Sequence, residues 1–135
     1  GWLAEAEMIY AGPNAFARAK MAADIIRTRV KNHDVHDDLR VDIMGVDAVF
    51  DNDTSTRRDA INMPLDGEFR VRSAIRTNDK ATAEYVNDEV LSLFCSGPAG
   101  GGGYRCSITG QVNTASVLVP RQTVEPHVYA EEIKP

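Results

Sequence analysis

Between Leu3 and Tyr10 the side chains alternate, with Ala4, Ala6, Met8 and Tyr10 on one side and Leu3, Glu5, Glu7 and Ile9 on the other. This period of two predicts a strand with one buried face. Gly12-Pro13 then opens a helix, because proline suits the first helical position, where its missing N–H is not needed. Phe16, Ala19, Ala23, Ile26 and Val30 recur at three- and four-residue spacing and draw an apolar stripe along it. Arg27, Arg29 and Lys31 oppose the negative pole of its dipole, and the polar stretch from Asn32 to Asp38 ends it. Leu39, Val41 and Ile43 alternate with Arg40, Asp42 and Met44, a second strand that runs into Gly45–Phe50.

Asp51 to Gly67 is polar and turn-rich, and reads as a long surface loop. A third strand follows, with Phe69, Val71, Ser73 and Ile75 on one face and Arg70, Arg72, Ala74 and Arg76 on the other. Thr77-Asn78-Asp79 caps a second helix whose buried stripe is Ala83, Val86, Val90 and Leu93. Gly97 stands at its C-cap, with Pro98 just beyond. After a run of glycines, Cys106 to Val119 reads as one long β run. Its apolar positions change phase between Ile108/Val112 and Ala115/Val117/Val119, which places a bulge near Asn113-Thr114.

The order β-α-β-β-α-β predicts an α+β fold of the split, ferredoxin-like kind, an antiparallel sheet with two helices on one face. Residues 1–121 form that single domain and residues 122–135 a C-terminal tail. At 135 residues the chain can bury a core without staples. A net charge of -5 argues against a nucleic-acid or anionic-membrane partner held by bulk electrostatics. No apolar run approaches the ~20 residues needed to span a bilayer, and no secretory signal is visible. The two cysteines, Cys95 and Cys106, read as reduced thiols acting as small buried hydrophobes, in keeping with a cytoplasmic setting. The first residue is Gly, which points to an excised segment, a processed product or a tag scar.

Chemistry is concentrated in two places. Gly100, Gly101, Gly102 and Gly103 form a run too costly to order without cause. It serves either close packing or subunit contact, or else ligand binding with Arg105 beside it. The helix precedes the run, so its dipole has the wrong sign for a phosphate loop, and the Lys-Ser/Thr of a Walker motif is missing. The second place is the outward parity of the sheet, where Arg70, Arg72 and Arg76 would meet Glu5 and Glu7. That face is a solvated ladder, a docking surface for another domain or subunit, or an anionic substrate site. His33, His36, Asp34, Asp37 and Asp38 lack metal-ligand spacing, His127 is isolated, and no nucleophile–base arrangement is recognisable. No metal site and no required cofactor is expected, and catalytic residues are not assigned.

Several segments resemble the acyclic terpene utilisation (AtuA-type) proteins: Gly1-Trp2-Leu3-Ala4-Glu5, Tyr10-Ala11-Gly12-Pro13-Asn14-Ala15, residues 39–47, residues 96–103, and Ala115-Ser116-Val117-Leu118-Val119-Pro120-Arg121. They occur in the family's order over residues 1–121. The resemblance implies the C-terminal portion of a longer protein, or a small subunit, acting in degradation of acyclic terpenoid or related acyl-CoA compounds. It implies a larger N-terminal region or subunit as partner, in a homo- or hetero-oligomer. One departure stands out: Ala48-Val49-Phe50-Asp51-Asn52 replaces a Ser-Leu-His-Gly-like turn of the family. The role would be assembly and closure over substrate. Two alternatives are a catalytic part of a hydratase, lyase or isomerase, with Asp42, Asp47 or Arg105 near the chemistry, and a purely structural oligomerisation module.

Overall fold

A computed structural model describes residues 1–46, 67–112 and 114–133. Strand β1 (Trp2–Gly12) leads into helix α1 (Ala15–Asn32), and then strand β2 (Asp38–Met44). Strand β3 (Gly67–Thr77), helix α2 (Lys80–Ser96) and strand β4 (Gly101–Gly110) repeat that succession. The sheet order is β2-β3-β1-β4 and every pairing is antiparallel. Each helix therefore links two parallel strands that have another strand inserted between them. β1 and β3 lie side by side along their full length, from Trp2 opposite Thr77 to Gly12 opposite Gly67.

The alternation in β1 is realised residue by residue: Ala4, Ala6, Met8 and Tyr10 are buried, while their odd-numbered neighbours are partly exposed. β3 contributes Phe69, Val71, Ser73 and Ile75 to the same face, and β2 contributes Val41 and Ile43. Both helices cover this face, α1 through Ala15, Ala19, Ala22, Ala23, Ile26 and Val30, and α2 through Ala83, Val86, Val90 and Leu93. Each fully buried Ile, Leu or Val contributes roughly 1.5–3 kcal/mol, so this layer dominates stability. The alanines of α1 let the helix lie close on the sheet.

Helix ends follow local chemistry. Asp79 caps α2 by accepting from the Ala81 and Thr82 amides at 3.2 and 3.0 Å and from Thr82 Oγ1 at 2.8 Å. These bonds, with the Thr82 hydroxyl foremost, hold its carboxyl below the usual carboxylate range. α1 begins differently from the expectation. Pro13 stands before the N-cap, and the cap is Asn14 in a left-handed conformation (φ 55°), with no side-chain capping bond. Gly12 belongs to β1. At the far end of α2, Gly97 closes the helix as expected, its amide bonding the Leu93 carbonyl at 3.1 Å.

Three expectations are corrected. The glycine run is not a loop, since Gly101, Gly102 and Gly103 are the first residues of β4. The β run stops at Gly110, and among residues 111–133 the described ones join no strand. The bulge falls at the other end of β4. Glu7 pairs with Arg105 but Ile9 pairs with Gly102, so Gly103 and Tyr104 together oppose Met8. Gly103 takes φ +62°, the left-handed position that a bulge of this kind assigns to glycine. β2 ends at Met44 because Gly45 turns the chain at φ +105°. The expected loop 51–66 and the Asp47–Phe50 stretch lie outside the described residues.

Candidate functional site

The face of the sheet away from the helices is built by strand parity alone. It carries Leu3, Glu5, Glu7 and Ile9 from β1, Arg70, Arg72, Ala74 and Arg76 from β3, Arg40 and Asp42 from β2, and Arg105 and Ser107 from β4. Arg72 pairs with Glu5, and Arg70 Nη1 lies 3.3 Å from Glu7 Oε2. Both pairs run diagonally across the β1–β3 ladder, since the residues directly opposite Glu5 and Glu7 are Ala74 and Arg72. Arg76 and Arg105 make no ion pair among the described residues. The acid–base ladder expected from the sequence is therefore present, while Arg76 stands apart from it beside Leu3.

Asp42 is the most protected charge on this face, 3% exposed. The Nε of Arg40 lies 2.8 Å from both of its carboxylate oxygens, and Arg72 is opposite it in register. A buried carboxylate is tolerable only with such partners. Sequence gave no warning of this burial, because Asp42 shares the polar parity of β2. Glu5, Glu7, Met44, Arg72, Arg105 and Ser107 outline a shallow concavity of about 360 Å³ on this face. Its charges are of both signs, with Arg105 at the β4 side.

The glycines are held by packing. A Cβ at Gly101 would sit 3.2 Å from the Tyr10 hydroxyl and 3.3 Å from the Met8 sulfur. A Cβ at Gly103 would meet Ile9 Cδ1 at 2.9 Å, and one at Gly100 would meet Arg18 Nη1 at 2.6 Å. At Gly102 nothing lies within 4 Å. The structure thus separates the sequence-proposed ligand set. Gly100 and Gly101 face the α1–β1 junction, and Arg105 faces the concavity. Arg18, which the sequence reading passed over, organises that junction by donating to the carbonyls of Ala11, Pro13 and Ala99.

Behind the sheet, burial raises the Tyr10 phenol's pKa, against an opposing pull from Arg18. Tyr104, on the helix side of the bulge, donates to the Asn87 carbonyl at 3.2 Å, and burial, followed by the Cys106 thiol, pushes its ionisation far up. Cys95 and Cys106 are both free and both exposed, which corrects the expectation of buried thiols. His33 closes α1 and lies against Tyr85, the ring centroids 4.3 Å apart and the planes tilted by 39°. Among the described residues no group of three or more His, Cys, Asp or Glu could hold a metal ion. No helix of the described residues is long and apolar enough to cross a membrane.

These features define a small α+β domain that carries a set of paired charges on the sheet face away from its helices. The chain belongs to the acyclic terpene utilisation family: the family model described as "Acyclic terpene utilisation family protein AtuA" matches residues 1–130. No curated protein and no solved structure matches it.

Proposed function

We propose that this chain is the C-terminal domain or a small subunit of a longer AtuA-type catabolic protein, and that it docks through its open sheet face. Family membership points to acyclic terpene utilisation, and the compounds handled by the whole assembly are acyclic terpenoids or related acyl-CoA compounds. The observation that carries the docking role is the internally paired charge ladder of Glu5, Glu7, Arg70 and Arg72, on a face that no described helix covers. Both helices are spent on the opposite face, so a partner region is the natural cover for this one. The order β2-β3-β1-β4 with both helices on one face supports reading the fold as ferredoxin-like, an arrangement that leaves its other sheet face to a partner. Arg105, without an ion partner among the described residues, is the first charge an acyl-CoA phosphate or another organic anion would meet beside the concavity.

Co-purification from the native host, followed by mass spectrometry, tests this reading. The expected result is a stoichiometric larger subunit or precursor of the same family. Arg72→Glu should release it, and Glu5→Arg with Arg72→Glu should restore the intrachain pair without restoring the companion. A chain that travels with no such companion sinks the proposal. Loss of turnover on Arg105→Ala with assembly intact would move the role from docking towards substrate contact.

A further inference from the structure

Beyond Gly110 the chain carries an apolar segment that lies largely exposed. Gln111 still pairs with the N-terminus, its amide 2.8 Å from the Gly1 carbonyl and its own carbonyl 3.1 Å from the Gly1 amine. Past that point Val117, Leu118 and Val119 are 76%, 103% and 59% exposed. From Cys106 to Pro120 there is no charged residue. Ala115, Val117 and Val119 share one parity, and Pro120, lacking an N–H, ends any strand there. An uncharged, β-prone arm in water is a liability unless something receives it.

The same chain has an unfilled strand position. β4 pairs with β1 on one side and with no described strand on the other. Above that free edge, α2 presents Leu91 and Phe94, 44% and 50% exposed, in the stripe that begins at Asn87. Asn87 bonds the Ser107 carbonyl and the Phe94 ring lies 6.3 Å from Tyr104, so this stripe overhangs the edge. Tyr104, Cys106 and Ile108 point to that side of β4, and Cys106 is exposed.

We infer that residues 115–119 of one copy add as an antiparallel strand to the free edge of β4 in a second copy, reciprocally about a two-fold axis. The change of hydrophobic phase after Val112 then has a cause. In an antiparallel pairing that sets Val119 beside Cys106, Val117 falls beside Ile108 and Ala115 beside Gly110. All three point to the helix side, beneath Leu91 and Phe94, and Ser116 points to the polar face. Arm and acceptor belong to the same chain, so one two-fold exchange satisfies both in both copies. No described residue of the arm pairs back along β4, which favours exchange over a hairpin. Two such strand additions, with the α2 side chains they cover, bury an area on the order of 1,200 Å², the lower end of stable interfaces.

The test uses the 135-residue chain with Cys95→Ser and Val119→Cys, leaving Cys106 as the other thiol. Mild oxidation is expected to give a covalent dimer on a non-reducing gel, with the 106–119 peptide pair identified by mass spectrometry. A disulfide confined to the monomer would show that the arm folds back on its own strand, and would overturn the second copy. Equal cross-linking with Val128→Cys in place of Val119→Cys would show unspecific collision and overturn the register. In the unmodified chain, Val117→Asp with Val119→Asp should halve the mass seen by light scattering, with circular dichroism unchanged. A dimer that survives both charges overturns the inference. Neither measurement touches the open sheet face, so failure here leaves the docking reading intact.

Discussion

Arg18 Nη1 lies 2.7 Å from the carbonyl oxygen of Ala99, a bond that spans 81 positions of the chain. Its Nη2 meets the carbonyls of Ala11 at 2.6 Å and Pro13 at 3.0 Å. One planar fork thus fastens the turn before α1 to the turn before β4. A lysine has the charge but not the fork. Arg18→Lys is expected to cost about 1–2 kcal/mol, read as a lower urea midpoint with an unchanged slope.

The glycines should not respond alike. A Cβ at Gly97 would lie 2.7 Å from the Leu93 carbonyl and 2.9 Å from its Cα, backbone that cannot swing aside. Gly97→Ala is therefore expected to cost about 2–3 kcal/mol. Gly100→Ala combines a positive φ with the Arg18 contact and should cost about 1–3 kcal/mol. Gly102→Ala meets nothing within 4 Å and should stay within about 0.5 kcal/mol of the parent. Equal losses at Gly100 and Gly102 in chemical denaturation would refute this account of the run.

Asp79 gives the acid limb a definite sign. Its folded pKa lies below the ordinary 3.8, because the charged form caps α2. The stability it adds is present above the unfolded value and is lost as pH falls through the folded one. Asp79→Asn keeps an acceptor but cannot titrate. Urea unfolding between pH 2 and 5 should therefore be flatter in the variant than in the parent.

Tyr104 acts at the other end of the scale. Burial and the neighbouring thiol favour its neutral form, so its folded pKa lies above the ordinary 10.0. Its contribution is complete below the unfolded value and is lost as pH rises towards the folded one. Tyr104→Phe should cost about 1 kcal/mol at pH 8 through the lost bond to Asn87, and the gap to the parent should narrow by pH 11. A gap that widens with pH would contradict the assignment.

Most of the sheet was legible because its faces differ chemically. Leu3–Tyr10 and Phe69–Ile75 alternate cleanly, and both helical stripes hold the positions their spacing assigned except Phe16, which is only half-buried beside Ala15. The ion pairs of Glu5 and Glu7 followed from parity and strand neighbourhood. The start of β4 was not legible, since three glycines carry no side chains from which a period can be read. The phase change at Ala115 was visible, but a bulge and a change of strand leave the same mark in one sequence. Asp42's place opposite Arg72 and Arg18's bond to Ala99 depend on residues far along the chain, and local pattern carries no trace of them.

The pairing of β1 with β3 has a consequence for how the domain comes into being. Each βαβ half holds two parallel strands that do not touch, and the strand that joins them comes from the other half. Among the described residues neither half owns a sheet by itself. Residues 1–46 and residues 67–133 behave like two subunits, neither of which has a hydrogen-bonded strand pair until it meets the other. The single polypeptide is in this sense an obligate heterodimer whose partners are delivered together, and its folding must wait for contacts between residues far apart in the chain.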